Sequence, residues 1–422
     1  MKKYLNLSFF AAIAAMMAFT ACTNEDALEG KNYVPEPVRF SVGMDNMTVS
    51  RTTRAQQSDT AIPGTGAGAS NWSIDNLWNT NDIIALYMHD ADGKWYSKSF
   101  KTAKSSLATD EVALTKNVSD VTGDFYWKNT TELKIFEAYS FGTTTSISNT
   151  ASNAGIDDAT NTTNLGIDAS TVFSAIEVPT DQSVDADANK KEFLYTYGAI
   201  KYNTSTTPGA NDKTIKLNHQ LARIDIVLIA PKSYFTSDAT KKTSADKKVT
   251  IGRSSTDPLK KSEVSIKGNF VKPTGFTDGT NIVYAPTAED LNITAAAIGS
   301  WTALTGSGNE GVITPRVLET EKELVAADEA TYGVGTAGKF ATKYSAVVIP
   351  QDFNGKKMFF IEYDGAEYAY DGSTANDDLS GGAGKKYTYT ISISEQNLVV
   401  KATIADWTTD AGTTKSGTAA LQ

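Results

Sequence analysis

The stretch KKYTYTISIS, Lys385–Ser394, alternates without a break. Tyr387, Tyr389, Ile391 and Ile393 fall on one face, and Thr388, Thr390, Ser392 and Ser394 on the other. A period of two built from aromatic and β-branched residues is the mark of a strand buried on one side. The same texture extends in both directions. DIIALYMHD (82–90) and KWYSKSF (94–100) flank DADG (90–93), a hairpin signal. DFYWKN (124–129) and ELKIFEAYSFG (132–142) read as strands. In KTIKLNHQLARIDIVLIAP (213–231), Ile215 and Leu217 alternate, and Ile224, Ile226 and Leu228 alternate again. KKVTIGR, SEVSIKGNF, TNIVYAP and KYSAVVIPQ (343–351) are further short strands. KKMFFIEYDG (356–365) and AEYAYDG (366–372) form a second hairpin, and NLVVKATIADW (397–407) closes the set. One segment, ETEKELVAADEA (319–330), reads as a short helix. Many short strands parted by turns predict an all-β fold, a β-sandwich or a barrel, formed twice along the chain.

The chain has 422 residues, enough for two cores. Its formal net charge of −10 argues against nucleic acid as a partner, because phosphate binding requires a basic surface.

The N-terminus, MKKYLNLSFFAAIAAMMAFTAC, carries Lys2 and Lys3 ahead of a short apolar run and small residues before Cys22. This is the pattern of a secretory signal peptide over residues 1–21, too short to span a membrane. Cys22 is the only cysteine, so no disulfide can form within the chain. Its place directly after Phe-Thr-Ala marks it for lipidation, a free thiol being the alternative. An acyl chain there would hold the protein to a membrane, each buried CH₂ adding about 0.8 kcal/mol. Glu25 and Asp26 resemble signals for the outer cell surface.

Residues 23–37 read as a polar tether. VRFSVGM follows, with Val38, Phe40, Val42 and Met44 at alternate positions, and then a Thr-, Ser- and Gly-rich loop with Arg51 and Arg54. Residues 143–190 are dominated by Thr, Ser, Asn, Asp and Ala, and read as surface excursions around STVFSAIEVP (170–179).

Little here points to catalysis. The two histidines, His89 and His219, lie in different predicted bodies without metal-ligand neighbours, which argues against zinc or any other metal site. His219 reads as a structural histidine. No nucleophile elbow, phosphate-binding loop or dinucleotide fingerprint is present, and no cofactor is expected. DADG lacks the twelve-residue pattern of a calcium loop. Among the acidic residues, no spacing singles out a glycosidase pair. The six tryptophans mostly adjoin strands, so core packing is the default, with a sugar-stacking platform open for one or two.

Seven segments, taken in order, resemble the fimbrillin family, the subunits of type V pili. They are the lipid-signal Cys22, the strand ending in SRTTRA, KIFEAYSF, LNHQLARIDIVL, AVVIPQ, KKYTYTISI and ATIADW. EAYSFG departs from the pattern where Tyr-Pro is expected, and the Thr/Ser-rich insert after it is atypical. The resemblance implies two tandem transthyretin-like β-sandwich domains, 55–211 and 212–422, behind a lipidated pro-segment, 22–54. It implies a surface lipoprotein of the outer membrane, assembled into a fimbrium and serving adhesion to a host or bacterial surface ligand. An Arg-specific protease would cut at Arg51 or Arg54 and release the strand carrying Val38, Phe40, Val42 and Met44. Each of those four side chains contributes about 1.5–3 kcal/mol when fully buried. A strand of another pilin subunit would fill the vacated place. Two other readings stay open: an uncleaved, lipid-anchored anchor subunit, and a surface glycan-binding lipoprotein.

Overall fold

The computed structural model describes residues 36–37, 39–44, 83–89, 95–102, 112–116, 126–127, 133–141, 173–183, 193–202, 212–231, 249–255, 261–273, 298–332, 335–354, 356–363, 366–371, 377–393, 398–406 and 413–421. These residues are nearly all β. In chain order the first ten strands are β1 (Glu36–Pro37), β2 (Arg39–Met44), β3 (Ile83–His89), β4 (Trp95–Thr102), β5 (Val112–Lys116), β6 (Tyr126–Trp127), β7 (Leu133–Ser140), β8 (Ile176–Glu177), β9 (Leu194–Lys201) and β10 (Asp212–His219). Seven of them close a barrel in the order β10-β2-β5-β4-β3-β7-β9. The DADG hairpin is borne out in its strands, with β3 pairing β4 from Ile83↔Lys101 to His89↔Trp95.

The later strands are β11 (Ala222–Ala230), β12 (Val249–Ile251), β13 (Val264–Ser265), β14 (Lys267–Val271), β15 (Ser300–Ala303), β16 (Glu310–Gly311), β17 (Arg316–Glu323), β18 (Phe340–Val348), β19 (Lys357–Tyr363), β20 (Ala366–Asp371), β21 (Lys385–Ile393), β22 (Leu398–Asp406) and β23 (Thr413–Leu421). Nine of these form one sheet, β12-β19-β20-β23-β22-β21-β11-β18-β17. β21 behaves as its alternation predicts: Tyr387, Tyr389, Ile391 and Ile393 are buried, while Thr388, Thr390 and Ser392 are partly open. β11 is buried along its whole length. Ile224, Ile226 and Leu228 join the main core, and Val227 and Ile229 pack with Leu324, Tyr332 and Ala341 on the other side.

Three sequence expectations differ from the fold. The helix expected over 319–330 is strand in its first part, residues 319–323. Arg316–Glu323 pairs with β18, and helical structure is confined to a 3-10 turn at Ala326–Asp328 and a single α-turn at Glu329–Tyr332. In that first part, sheet pairing overrides the helix propensity of Glu319, Glu321, Lys322 and Glu323. β10, grouped by its pattern with the second body, pairs in the barrel with β2 and β9, and the chain passes to the nine-stranded sheet at 220–221. The tail after Trp407, which the pattern leaves unassigned, contains β23. This strand pairs with β22 from Leu398↔Ala419 to Ile404↔Thr413. TNIVYAP, the signal peptide and the tether up to residue 35 lie outside the described residues, while the end of the tether, Glu36–Pro37, is β1 and pairs with β6 at Glu36↔Trp127 and Pro37↔Tyr126.

Candidate functional site

β2 is the strand for which the family resemblance implies a removable role, and its place in the barrel is specific. On one side it pairs parallel with β10 over six residue pairs, Asp212↔Arg39 to Leu217↔Met44. On the other it pairs antiparallel with β5 at Ser41↔Ala113 and Val42↔Val112. Phe40, Val42 and Met44 hold the register positions opposite Lys213, Ile215 and Leu217, and both Ile215 and Leu217 are fully buried. β2 is therefore an interior strand, and its two ladders would both be vacated by its loss. Val38, Cys22, Arg51 and Arg54 lie outside the described residues.

β10 forms one wall of that place, and the residue after it, Gln220, fixes the wall to the rest of the molecule. β10 meets β9 through only two residue pairs, Asn218↔Tyr195 and His219↔Leu194. The buried Gln220 is bonded in four directions. Its N–H donates to the Phe193 carbonyl (2.8 Å), and its side-chain amide donates to the Asn218 carbonyl (3.0 Å). Its Oε1 accepts from the Gly299 N–H (3.0 Å), and its own carbonyl accepts from the Trp301 indole (2.5 Å). Gly299 is required by this approach, because a Cβ there would lie 2.3 Å from the Phe270 ring. Around Gln220 stands an aromatic cluster of Phe173, Phe193, Tyr195, Phe270 and Trp301, with ring centroids 4.8–5.8 Å apart. Spacings and tilts of this kind are those favoured by aromatic pairs. Trp127 and Trp301 are thus core residues, buried to 0% and 9% exposure, and offer no sugar platform.

Two buried polar centres flank the junction. On the barrel side Glu137, in β7, is fully buried. It accepts the Tyr195 hydroxyl at 2.6 Å and pairs with Lys272 Nζ at 3.0 Å. Burial, and then the Glu137 charge, push the Tyr195 hydroxyl well above its ordinary pKa. On the sheet side Asp225 is fully buried. It accepts Arg223 Nε at 2.7 Å and Nη2 at 2.9 Å, the Ser345 hydroxyl at 2.7 Å and Lys343 Nζ at 3.0 Å. Burial alone would raise its pKa, but the charges of Arg223, Lys343 and Lys386 more than reverse this and hold the carboxyl well below the usual range. Burial brings Lys343 down to about 7, against the pull of Asp225. His219 is lowered to about 3, first by burial and then by the Arg223 charge, so its ring is neutral at pH 7. Neither centre places a nucleophile beside a base in a cleft, and each is a satisfied network that fixes strand positions. Arg223 and Asp225 were visible as a charged pair interrupting LARIDIVL. The signal missed was that such a pair, two apart inside an apolar strand, shares one face.

Among the described residues no group of three His, Cys, Asp or Glu side chains is placed to hold a metal. No described helix is long and apolar enough to cross a membrane.

A model of a fimbrillin-like family matches residues 53–407. Among curated proteins no sequence matches the chain. Solved structures similar to it include a Bacteroides ovatus protein assigned to cell adhesion, 11% identical with a TM-score of 0.47, covering 90% of this chain and 100% of that one. The tip fimbrial protein Mfa3 of Porphyromonas gingivalis is 9% identical with a TM-score of 0.34, covering 78% and 95%. The fimbrial anchor protein Mfa2 of the same organism is 10% identical with a TM-score of 0.27, covering 88% and 98%.

Proposed function

This chain belongs to the fimbrillin-like family, and we propose that, as a subunit of a cell-surface fimbrium, it is a precursor activated by removal of β2. The precursor is exported to the outer membrane with a lipid on Cys22. An Arg-specific protease cuts after Arg51 or Arg54 and releases the strand with Phe40, Val42 and Met44. A strand of a second pilin subunit then occupies the vacated place, and the polymer serves adhesion.

The observation that carries this reading is the pairing of β2 on both sides, to β10 and to β5. Loss of an edge strand would merely uncover the next strand. Loss of an interior strand leaves two rows of unpaired N–H and C=O groups facing each other. An incoming strand then gains backbone bonds on both flanks and register from alternate side chains. While β2 is in place that route is shut, so cleavage is the switch.

The test is to treat the purified full-length chain with an Arg-specific protease, sequence the new N-terminus and follow size by chromatography. A new terminus at Thr52 or Ala55 with growth of oligomers is expected, and an Arg51→Ala, Arg54→Ala double variant should stay intact and monomeric. A trimmed chain that remains monomeric at high concentration overturns the polymerising role. Surface protein that begins at Cys22 on cells would identify an anchor subunit instead.

A further inference from the structure

Residues 173–183 lie between β7 and β9, two neighbouring barrel strands, yet their backbone partners belong to the other body. Phe173 is buried among Tyr139, Phe193, Tyr195 and Phe270, and its carbonyl accepts the Phe270 N–H at 2.9 Å. Ala175 then takes a left-handed conformation, φ 49°, the one non-glycine to do so among the described residues. Its N–H donates to the side chain of Asn269 at 2.8 Å. An alanine is held in that sparsely allowed region only where its surroundings over-determine it. β8 pairs with β14 at Ile176↔Gly268 and Glu177↔Lys267. The Val178 N–H donates to the Ile266 carbonyl, the Thr314 N–H to the Thr180 carbonyl and the Gln182 N–H to the Thr314 carbonyl.

Gln182 ends the segment in an unusual way. Its side-chain amide donates to the Val347 carbonyl at 2.8 Å and accepts the Val347 N–H at 2.9 Å. Pairing of β17 with β18 begins at Arg316↔Ser345, so Val347 lies beyond the reach of β17. One side-chain amide thus supplies the donor and acceptor that a strand residue would have supplied. Phe173, Ile176, Val178 and Gln182 are buried, while Ser174, Ala175, Glu177, Thr180, Asp181 and Ser183 are exposed.

We propose that residues 173–183 are a clamp that makes the barrel and the nine-stranded sheet open as one cooperative unit. Without it the covalent chain passes between the bodies once, at 220–221. With it the chain leaves the barrel, binds the second body and returns, which adds two further crossings. A load applied to the barrel is then shared by a built-in strand and not carried by one peptide segment. The clamp rests on this segment alone and does not depend on how β2 behaves.

Hydrogen exchange on the full-length chain tests it. In the native protein the amides of Val178, Gln182 and Thr314 should be protected to within a few-fold of those in β11, and β3 and β7 should exchange at the rate of β11 and β18. Gln182→Ala removes the side-chain pairing with Val347 and a bond to the Pro179 carbonyl (3.0 Å), and leaves the backbone bonds of the segment in place. It should speed exchange at Val178 and Thr314 at least tenfold and separate the barrel from the sheet by a similar factor. Phe173→Ala, which removes the opposite anchor, should give the same split. Fast exchange of the segment in the unaltered chain, separate opening of the two bodies there, or a split in neither variant overturns the clamp.

Discussion

His219 is a fully buried imidazole in the two-pair contact that closes the barrel, and its environment makes acid a specific stress there. Its folded pKa of about 3 lies below the ordinary 6.5, so the unfolded chain takes up the proton first as pH falls. Stability is therefore full above about pH 6.5 and declines from there to about pH 3, at about 1.4 kcal/mol per pH unit for one proton. Asp225 acts in a different window. Its folded pKa is depressed, so its contribution is present above the ordinary carboxylate range and is lost only as pH falls below it. Between pH 6 and pH 4 the histidine is thus separable from the buried carboxylate. Urea unfolding should show His219→Gln losing about 2–3 kcal/mol less than the unaltered chain over that interval. Parallel stability curves would remove His219 as the acid-sensitive group of the barrel closure.

β2 shows what two ladders do for a short strand. It pairs with β10 at six positions and with β5 at two, with Val42 in both ladders. Proline at Val42 would remove an N–H from a strand bonded on each side, a substitution tolerated only at edges and bulges. After Arg-specific cleavage, Val42→Pro should therefore speed dissociation of the N-terminal piece at least tenfold, measured by size-exclusion chromatography against Val42→Ile as the conservative control. Equal rates would mean that the ladders do not retain β2. How well such elements can be read from sequence depends on how far apart their partners lie. β3–β4 and β19–β20 are hairpins whose alternation and turns sit side by side, and β21 announces its buried face by strict alternation. The parallel pairing of Arg39–Met44 with Asp212–Leu217 joins distant segments, and no local pattern carries its register. The segment 173–183 was legible only as apolar patches in a Thr- and Ser-rich stretch, because its order comes from Asn269, Thr314 and Val347 in the other body. β23 has few apolar residues and is a strand because β22 templates it over seven pairs.

A molecule whose described residues are nearly all β has to control which of its edges accept a partner. Among the described residues the nine-stranded sheet ends at β12 and at β17. β12 has three residues and is met on its outer side by the Ile251↔Ile313 bridge, so it presents little free ladder. β17 is longer, with eight residues, but its sequence RVLETEKE is dense in charge. Its pairing with β18 also slips twice, between Val317 and Glu319 and between Glu319 and Lys322. Charges and bulges on an outer strand are the devices by which β proteins avoid edge-to-edge association. With both ends of this sheet guarded, and with the described barrel strands closed while β2 is in place, the proposed removal of β2 would open a ladder that the intact barrel does not present. The two guards of β17 are separable. Glu319→Val, Glu321→Val and Glu323→Val together remove the negative charges and leave the bulged backbone. If charge is the working guard, the uncleaved triple variant should form oligomers at concentrations where the unaltered chain is monomeric, read by light scattering. It should do so with its N-terminus intact, which distinguishes edge pairing from exchange at the β2 position. A triple variant that stays monomeric would assign the protection of this edge to its irregular register.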